Sequence, residues 1–366
     1  LKGVQTNLYK CFILTAWRLS GTQGVSGLLH PEGPYDDPKG GDLRAALYPR
    51  LRRHFGFVNE LQLFADVDHH AKYSINVYGP ERANPRFDHL ANLFAPATVD
   101  ACYQHDGQGS VGGYKNEQGQ WNTTGHADRI VHVDEAALAV FAKLYDESGT
   151  PARRARLPAL HAGALNSVLT KLAEYPRRLA DLGNDYFSTV MFDETYSQRD
   201  GTLSRRLSSA SVFCSSPDDW VLSGPHFFLA NPYNKTPRQT CTANSHYDCL
   251  DLETLPDDYL PRTNYRPMAD RAEYLRRTPR VSWLEKGETQ GRPVTEFFRL
   301  VNREMLSQSG ERTLITTLIP PGAAQVHTVL ASAFHSALEL VSLLAMTQSL
   351  VVDFRVKSTG SGHANI

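Results

Sequence analysis

Residues 7–79 decide the fold, and they read NLYKCFILTAWRLSGTQGVSGLLHPEGPYDDPKGGDLRAALYPRLRRHFGFVNELQLFADVDHHAKYSINVYG. Apolar residues recur at helical spacing over Asn7–Leu19, which predicts an amphipathic helix. The segment Gly24–Pro31 predicts a short buried strand that ends in a loop rich in Gly, Pro and Asp. Helix and strand therefore alternate from the start of this stretch, which is typical of an α/β sheet domain.

The second half of the same stretch predicts another helix followed by two strands. Asp42 is a candidate N-cap for a helix over Leu43–Phe55, whose apolar residues share one face. Strands are predicted over Val58–Phe64 and Tyr73–Tyr78, separated by a polar turn over residues 66–72. The expected order is helix, strand, helix, strand, strand.

Beyond Gly79 the pattern changes more than once. Residues 79–122 are rich in Gly, Asn, Gln and Pro, which predicts a long surface insertion. Helical periodicity returns over Asp134–Tyr145 and Leu160–Leu182, which indicates a helical connector. From Phe187 onwards, aromatic and β-branched runs alternate with turn residues, which favours a second, mixed α+β domain. The expected domains are residues 1–80, 81–186 and 187–366.

The composition is that of a globular chain. With 366 residues and 41% hydrophobic content, it can bury a substantial core in two or three domains. No apolar run reaches the roughly 20 residues that span a bilayer. Five cysteines without a secretory signal favour a reducing compartment, with the cytoplasm as the default. The net charge of −1 does not by itself favour nucleic-acid binding, but arginines cluster in the middle and back of the chain. These arginines are suited to contacting phosphates. The alternative interpretation is a solvated surface of mixed charge.

Residues 7–79 resemble the later half of the catalytic domain of gamma-class N6-adenine DNA methyltransferases, as found in type IIG restriction-modification enzymes and phage-defence methylases. The matching features follow one another in the family's order: Asn7-Leu8-Tyr9, His30-Pro31, Leu43-Arg44, Leu61–Phe64 and Tyr73–Gly79. The resemblance implies the C-terminal half of a Rossmann-like methyltransferase sheet. It also implies that a helical connector and an α+β target-recognition domain follow that sheet.

The resemblance further implies what this chain lacks. In the family, a Gly-rich S-adenosylmethionine loop and an Asn-Pro-Pro-Tyr/Phe tetrapeptide precede this block, and neither occurs upstream of Asn7. We therefore assign no catalytic and no cofactor-binding residue. Because the chain begins at Leu1 without an initiator Met and stops soon after an apolar run, we interpret it as an internal fragment. S-adenosylmethionine would then be the cofactor of the parent enzyme, and the fragment alone would be inactive.

One later segment approximates the missing tetrapeptide. Asn231-Pro232-Tyr233-Asn234 follows an apolar run, as the family's motif does, but it lacks one proline. It also lies in the expected recognition region, after the later sheet strands. A structural turn or a phosphate-contacting loop is therefore the alternative interpretation, and Lys235 and Arg238 fit the second of these.

Two further sets of residues have the right chemical types for a metal. The candidate zinc ligands are Cys214, Cys241, His246 and Cys249. Their spacing is irregular, and ordinary buried cysteines are the alternative. The residue types of a nuclease site occur at Glu60, Asp66, Asp68 and Lys72. A polar turn between two strands explains those residues as well, so the sequence does not predict cleavage.

The back half again resembles these methylases, at the start of their target-recognition domain. The segments are DDWVLSGPHFFLANPYNKTPR, LPDDYLPRTNY, GERTLITTLIPPGAAQVHTV and SLVVDFRVKSTGSGHANI. The basic residues in them are the candidates for DNA contact: Lys235, Arg238, Arg262, Arg312, Arg355, Lys357 and His363. For Arg262 and Arg312, a structural salt bridge is the alternative. We expect Asp353-Phe354-Arg355 to end an apolar strand and residues 357–363 to form a flexible basic loop.

Together these features predict a parent enzyme that transfers a methyl group from S-adenosylmethionine to adenine N6 in a specific DNA sequence, in restriction-modification or phage defence. The expected partner is double-stranded DNA, with other restriction-modification or defence-system subunits as further candidates and no membrane. The alternative is a DNA-binding specificity module that works with a separate catalytic chain. A third interpretation assigns residues 1–79 to another Rossmann-like transferase.

Overall fold

The computed structural model describes residues 6–205 and 213–364, so both chain ends and residues 206–212 lie outside the description. The chain is a mixed α/β protein that divides into two compact units. Unit 1 extends to Pro176 and also includes Ser358–Gly360. Unit 2 runs from Arg177 to Lys357 and resumes at Ser361.

Unit 1 contains a five-stranded sheet. Its strands are β1 (Ser26–Pro31), β2 (Leu51–Val58), β3 (Lys72–Tyr78), β4 (Arg86–Leu93) and β5 (Val131–Asp134). Its α-helices are α1 (Leu8–Leu19), α2 (Gly33–Asp36), α3 (Gly41–Leu47), α4 (Ala97–Gln104), α5 (Glu135–Tyr145) and α6 (Ala164–Glu174).

The strand order in this sheet is β1-β3-β2-β4-β5. Strand β3 pairs antiparallel with both of its neighbours, so β1 and β2 run parallel to each other with β3 reversed between them. Strand β4 is parallel to β2, and β5 is antiparallel to β4. Phe57, Tyr73, Leu90 and Leu93 form part of the buried cluster on this sheet.

Several elements predicted from periodicity are confirmed. The helix expected over Asn7–Leu19 is α1, and the strands expected over Gly24–Pro31 and Tyr73–Tyr78 are β1 and β3. The expected burial of the first strand is wrong, because His30 is its one buried residue. The helix expected over Asp134–Tyr145 is α5, and the Asp134 side chain caps it by accepting a hydrogen bond from Ala137 N. In these segments the local pattern and the tertiary packing favour the same structure.

The prediction of a single helix over Leu43–Phe55 is wrong. Helix α3 ends at Leu47, and residues 51–58 form strand β2 in the middle of the sheet. Pro49 explains the break, because Tyr48 before it is still helical but Pro49 offers no amide hydrogen to continue the helical hydrogen bonds. The predicted strand over Val58–Phe64 is therefore misplaced, since Asn59–Leu61 form a 3-10 turn and Phe64 lies in an exposed loop.

Two other predictions for unit 1 need correction. Residues 79–122 are not one irregular insertion, because β4 and α4 form within them and the longest stretch without a strand or helix is residues 105–122. The helix expected over Leu160–Leu182 is confined to α6, since Tyr175 precedes Pro176 and takes an extended conformation. Strands β4 and β5 thus extend the sheet into the region expected to be insertion and connector.

Unit 2 is built from short strands and four described α-helices. The strands are β6 (Tyr186–Thr189), β7 (Leu203–Arg205), β8 (Val221–Leu222), β9 (Lys235–Pro237), β10 (Tyr247–Cys249), β11 (Tyr265–Pro267), β12 (Arg299–Arg303), β13 (Thr316–Ile319), β14 (Ala324–Gln325) and β15 (Val329–Phe334). The helices are α7 (Glu194–Arg199), α8 (Arg271–Arg277), α9 (Ala337–Thr347) and α10 (Leu350–Lys357).

These strands form two four-stranded sheets and one hairpin. One sheet has the order β13-β12-β15-β6 and the other has the order β14-β8-β11-β7, while β9 and β10 pair with each other. Trp220, Leu222, Phe227 and Val301 lie in a buried cluster of this unit. The mixture of short strands and helices agrees with the α+β character expected for the back of the chain.

The final apolar run folds differently from its prediction. Asp353-Phe354-Arg355 lie inside helix α10 and do not end a strand. Helix α9 starts at Ser336, whose hydroxyl accepts a hydrogen bond from Glu339 N at 3.4 Å. No single helix among the described residues is long and apolar enough to cross a membrane. Helices α9 and α10 meet that criterion only when taken together, and they are bent by 74° at the break between them.

Candidate functional site

The carboxyl ends of β1 and β2 lie at one edge of the sheet in unit 1. Glu32 follows β1 there, and the loop of residues 59–71 leaves β2 and enters β3 at Lys72. In open α/β sheets, ligands bind beyond the carboxyl ends of the parallel strands. This edge is therefore the candidate functional site of unit 1.

Asn59 holds the loop of residues 59–71 in one conformation. Its side chain is fully buried, and its Nδ2 donates hydrogen bonds to the carbonyls of Phe64 at 2.9 Å and Val67 at 3.0 Å. Its Oδ1 accepts a hydrogen bond from Phe64 N at 3.0 Å. A single buried amide thus satisfies backbone groups along the loop that have no strand partner.

This loop presents apolar side chains to solvent. Leu61, Leu63, Phe64 and Val67 are each between 41% and 46% exposed. The Phe64 ring packs edge-on against Tyr73, with 5.0 Å between ring centroids, and leaves part of its surface open. Exposed apolar side chains on a well-held loop mark an interaction surface.

A chain of hydrogen bonds runs behind this edge through the sheet. His89 Nε2 lies 3.0 Å from the Pro158 carbonyl and must donate to it, because a carbonyl only accepts. Burial and the neighbouring His54 lower the pKa of His89 to about 3, so its Nδ1 is an acceptor at neutral pH. His54 Nδ1 lies 2.8 Å from His89 Nδ1 and therefore donates to it, and His54 Nε2 lies 3.1 Å from Glu32 Oε1.

Glu32 stays ionised in this environment. Burial acts to raise the pKa of Glu32, but His54 and hydrogen bonds from His54 and Ser74 outweigh it and hold that pKa at about 2. Burial lowers the pKa of Lys72, and the Glu32 carboxylate acts in the opposite direction. The polar groups at this edge are thus stabilised by one another, which fits a rigid support for the loop.

A second buried cluster joins β1, α2 and β3. Tyr35 donates a hydrogen bond to Asn76 Oδ1 at 2.5 Å, and the Tyr35 and Tyr78 hydroxyls are 3.1 Å apart. His30 Nε2 lies 3.0 Å from the Tyr78 hydroxyl. Burial raises the pKa of Tyr35 well above its ordinary value, so the ring remains a neutral donor. This cluster fixes the turn that follows β1.

A cavity of about 620 Å³ lies at the opposite edge of the sheet. It is lined by the connection between α1 and β1 and by Gly79–Glu81 after β3. Because Ser26 at the start of β1 pairs with Tyr78 at the end of β3, this cavity lies at the amino ends of the parallel strands. Its position does not match the binding edge of an open α/β sheet.

The turn after β1 does not match the family's S-adenosylmethionine loop. That loop is a Gly-rich turn after a strand, but β1 runs through Pro31 and Glu32 into α2, a four-residue helix that buries Pro34 and Tyr35. Tyr35 is 1% exposed in this turn, and its hydroxyl donates to Asn76 Oδ1. We therefore derive no step through this cofactor in the described part of the chain.

Two predicted DNA contacts lie together on the β9–β10 hairpin of unit 2. Lys235 starts β9 opposite Cys249, and Arg238 follows that strand. Arg238 is exposed, and its Nε donates to Asp248 Oδ1 at 2.9 Å. A surface ion pair of this kind contributes little to stability.

Other predicted contacts take part in internal packing. Arg312 donates to the carbonyls of Thr347 at 3.0 Å and Gln348 at 2.8 Å, at the end of α9, and its side chain is only 12% exposed. Lys357 Nζ donates to the Gly310 carbonyl at 3.0 Å, and burial lowers the pKa of Lys357. Arg355 is half-buried in α10.

The remaining two candidates have identifiable partners. The Arg262 guanidinium lies over the Phe213 ring, 5.1 Å from its centroid. His363 is exposed, with Nδ1 2.7 Å from Glu304 Oε1. Ser358 and Gly360 are buried, so the middle of the expected flexible loop is packed and the basic loop is limited to its last residues.

The segment that resembles the adenine-binding tetrapeptide forms a turn in unit 2. The backbones of Phe228 and Asn231 exchange hydrogen bonds at 3.1 and 3.2 Å, with Leu229 and Ala230 at positive φ between them. The Tyr233 ring stacks on buried Trp220 at 5.4 Å. This arrangement matches the structural-turn interpretation and leaves the Tyr233 ring against the core.

The candidate zinc ligands do not converge in the described residues. Cys241 Sγ accepts a hydrogen bond from Asn264 Nδ2 at 3.2 Å, and Cys214 packs in the cluster around Trp220. Cys249 is exposed. Among the residues that the structure describes, a different set comes together as possible metal ligands: Glu60, His69 and His70. The sequence contained a signal for it, since adjacent histidines lie a short loop away from a glutamate.

Sequence reasoning missed a polar pocket in unit 2. A cavity of about 130 Å³ is lined by Arg205, Arg303, Tyr247 and Asn264, among others. The buried Nε atoms of Arg205 and Arg303 lack a hydrogen-bond partner in the described structure. Burial lowers the pKa of Arg303. Glu194 and Glu304 line the same pocket, and Glu194 Oε1 lies 3.6 Å from Arg205 Nη1, so the pocket carries both charges.

No family model matches the chain, and no curated protein matches it. Its function is therefore argued from its own residues and geometry.

Proposed function

We propose that this chain is the later part of an adenine-N6 DNA methyltransferase and contributes the DNA-facing surfaces of that enzyme. The order of elements in residues 7–79 carries the proposal, because α1, β1, α3, β2 and β3 follow one another along the chain in the order of the family's motifs. In the methyltransferases that these residues resemble, the strand at the position of Tyr73–Gly79 completes the sheet, whereas here β4 and β5 extend the sheet beyond β2.

The free edge of β1 supports the proposal further. Among the described residues, β1 pairs only with β3, and Leu29 on β1 is 54% exposed. Leu8 and Phe12 on α1 are 73% and 60% exposed. An unpaired strand edge next to exposed apolar side chains is normally covered by another element. We assign this edge to the cofactor-binding front of the sheet, which the described residues do not supply.

The loop of residues 59–71 supports a role at the target base. Enzymes that modify a base in duplex DNA extrude it and stack it against aromatic or apolar side chains. Phe64 offers such a surface at the carboxyl edge of the sheet, where Asn59 holds its backbone. In unit 2, Lys235 and Arg238 on the β9–β10 hairpin offer positive charge for phosphates.

DNA binding tests the Phe64 assignment directly. Stacking of a base on an aromatic side chain contributes about 1–3 kcal/mol. Phe64→Ala should therefore weaken binding to a duplex with one unpaired adenine by about fivefold or more, with little effect on a fully paired duplex. Fluorescence anisotropy with labelled duplexes measures both affinities. Tyr175→Ala is the matched control, because Tyr175 is an exposed aromatic residue of unit 1. Equal losses on both duplexes would contradict the stacking role.

Methyl transfer tests the assignment of the whole chain. Transfer of labelled methyl groups from S-adenosylmethionine to DNA is measured with the protein that the complete coding sequence encodes. N6-methyladenine is the expected product. A coding sequence without a Gly-rich cofactor loop and tetrapeptide, together with no transfer, would instead favour a specificity module with a separate catalytic chain, for which the free edge of β1 is equally suited.

A further inference from the structure

Three possible metal ligands meet where the loop of residues 59–71 leaves the sheet. They are one oxygen of Glu60 and one ring nitrogen each of His69 and His70, and all three atoms lie within 4.8 Å of one another. Glu60 Oε2 and His69 Nδ1 are 3.0 Å apart, and the two imidazole rings are 3.7 Å apart between centroids. We call these three residues the neck cluster.

The fold itself brings the neck cluster together. Val58 is paired with Lys72 at the end of the β2–β3 ladder, and Asn59 N donates to the Ala71 carbonyl at 3.0 Å. Continuing that register places Glu60 opposite His70. The buried Asn59 side chain holds the loop backbone at Phe64 and Val67. The three side chains of the neck cluster therefore lie on an ordered part of the loop.

We propose that the neck cluster binds a divalent transition-metal ion of the zinc class through two imidazole nitrogens and one carboxylate oxygen. Two histidines and one glutamate are an established protein ligand set for zinc, with water in the remaining position. Zinc bonds of about 2.0–2.1 Å place neighbouring ligand atoms of a tetrahedron about 3.3 Å apart. The 3.0 Å between Glu60 Oε2 and His69 Nδ1 is already near that value. A rotation of the exposed His70 ring would bring its ligand nitrogen to the same distance from the other two atoms.

Charge and access fit such an ion. His69 and His70 side chains are 46% and 71% exposed, while Glu60 is 14% exposed, so the cluster opens to solvent on its histidine side. Asp68 Oδ1 lies 3.3 Å from His70 Nδ1 and can hydrogen-bond or join the ion as an oxygen ligand. The carboxylates next to the histidines favour binding of a cation. A carboxylate that hydrogen-bonds a metal-bound imidazole and orients it is common in protein metal sites.

A metal at this position would tie the exit of β2 to the entry of β3. It would close the loop that carries Leu61, Leu63 and Phe64 and restrict its opening. Without an ion, the Glu60–His69 hydrogen bond is the remaining side-chain link within the cluster, and exposed contacts of this kind contribute little. The metal would therefore act as a clamp on the exposed loop, whatever that loop contacts.

Cobalt binding to the untagged, metal-stripped full chain tests the site. Co²⁺ held by nitrogen and oxygen lacks the charge-transfer absorption of cobalt thiolates, so binding at the chain's cysteines is distinguishable from binding at the neck cluster. We expect one Co²⁺ per chain, with a nitrogen–oxygen spectrum, displaced by Zn²⁺. His69→Gln and His70→Gln should each weaken binding by at least about 10-fold. His132→Gln is the matched control, because His132 is 73% exposed and pairs with Asp88 in the same unit.

Three outcomes of the cobalt titration would overturn the proposal. They are a thiolate spectrum, a dissociation constant weaker than about 100 µM, and equal binding by all three histidine variants. Amide hydrogen exchange over residues 61–68 gives a second readout, and saturating Zn²⁺ should slow it in the wild type and not in His70→Gln. No change on adding Zn²⁺ would rule out the clamp. The probe is the metal alone, so these results do not depend on whether the chain binds DNA.

Discussion

Asn59 is the residue on which the candidate site of unit 1 depends most directly. Its buried amide serves Phe64 N, the Phe64 carbonyl and the Val67 carbonyl. Asn59→Ala would remove three hydrogen bonds to part-buried backbone groups, each of which contributes about 0.5–1.5 kcal/mol. We expect the free energy of unfolding to fall by about 3 kcal/mol in urea titrations.

Asn116→Ala is the control for this prediction. Asn116 Oδ1 also accepts hydrogen bonds from loop backbone, from Gln118 N and Gln120 N, but its residue is exposed. Water replaces those bonds, so we expect a loss of about 0.5 kcal/mol or less. Similar losses in the two variants would mean that burial of the amide does not matter.

His226 predicts an acid-sensitive core in unit 2. It is fully buried, with Nδ1 3.1 Å from Ser223 N and Nε2 3.2 Å from the Arg262 carbonyl. Burial lowers the pKa of His226 from 6.5 to about 4. The unfolded chain therefore takes up the proton first, and stability falls as the pH drops from about 6.5 to about 4, by roughly 3 kcal/mol from this group.

The variant His226→Asn should flatten this part of the pH dependence. Urea unfolding between pH 7.5 and pH 4.5 measures it, and His132→Asn serves as the exposed control. Other buried histidines, including His89 and His161, also have lowered pKa values and will leave some slope. An unchanged slope in His226→Asn would show that His226 is not the source.

At the level of elements, helix α10 shows how a tertiary contact overrides a local pattern. Leu350-Val351-Val352 favour a strand by composition. Yet Asp353 is 4% exposed and its Oδ1 accepts hydrogen bonds from Thr313 N at 2.9 Å and Leu314 N at 2.7 Å. The buried carboxylate thus connects the helix to the segment before β13. No residue near Asp353 in the sequence indicates that this segment is its partner.

This contact predicts a large effect of Asp353→Ala. The substitution removes the acceptor for two backbone amides and the carboxylate that lies 3.4 Å from Arg312 Nε. Removing one member of a buried charged pair costs about 3–5 kcal/mol, so we expect a loss of that order in thermal or urea unfolding. Asp353→Asn keeps one acceptor and should lose clearly less. If the two variants lose equally, the hydrogen bonds are not the cause.

Elements with a strong apolar periodicity can be predicted from the sequence, whereas elements whose structure depends on residues far away in the chain cannot. Helices α1 and α5 and strands β1 and β3 follow from apolar spacing alone. The sequence predicts a helix where the first part of strand β2 forms, because Leu51 and Phe55 continue the helical spacing from Leu47 and also suit a strand buried on both faces. Only its pairing with both β3 and β4 decides between them.

At the scale of the whole molecule, a net charge of −1 provides no general attraction to DNA. Binding must then come from local positive groups, such as Lys235 and Arg238 on the β9–β10 hairpin. Each phosphate contact contributes about −0.9 to the slope of log affinity against log salt. We expect Arg238→Ala to lower that slope by about 1 without changing the unfolding free energy.

The same titration distinguishes exposed from structural arginines. Arg312→Ala is expected to destabilise unit 2 because its guanidinium holds the end of α9, so weaker DNA binding by that variant would not identify a contact. Arg238→Ala leaves folding unchanged and is the informative substitution. No binding by the wild-type chain, or binding that does not weaken with salt, would contradict the DNA assignment.

The amino-acid sequence by itself determined the mixed α/β class, four of the unit 1 elements, and the residue types available for DNA contact. Periodicity and caps act over a few neighbouring residues, so they can be read along the chain. Only the tertiary structure reversed β3 between β1 and β2, placed Asn59 as the support of the loop, and brought Glu60 to His69 and His70. It also placed Arg312 against the end of α9. These relations depend on strand register and on hydrogen-bond partners far away in the chain, which no local pattern encodes.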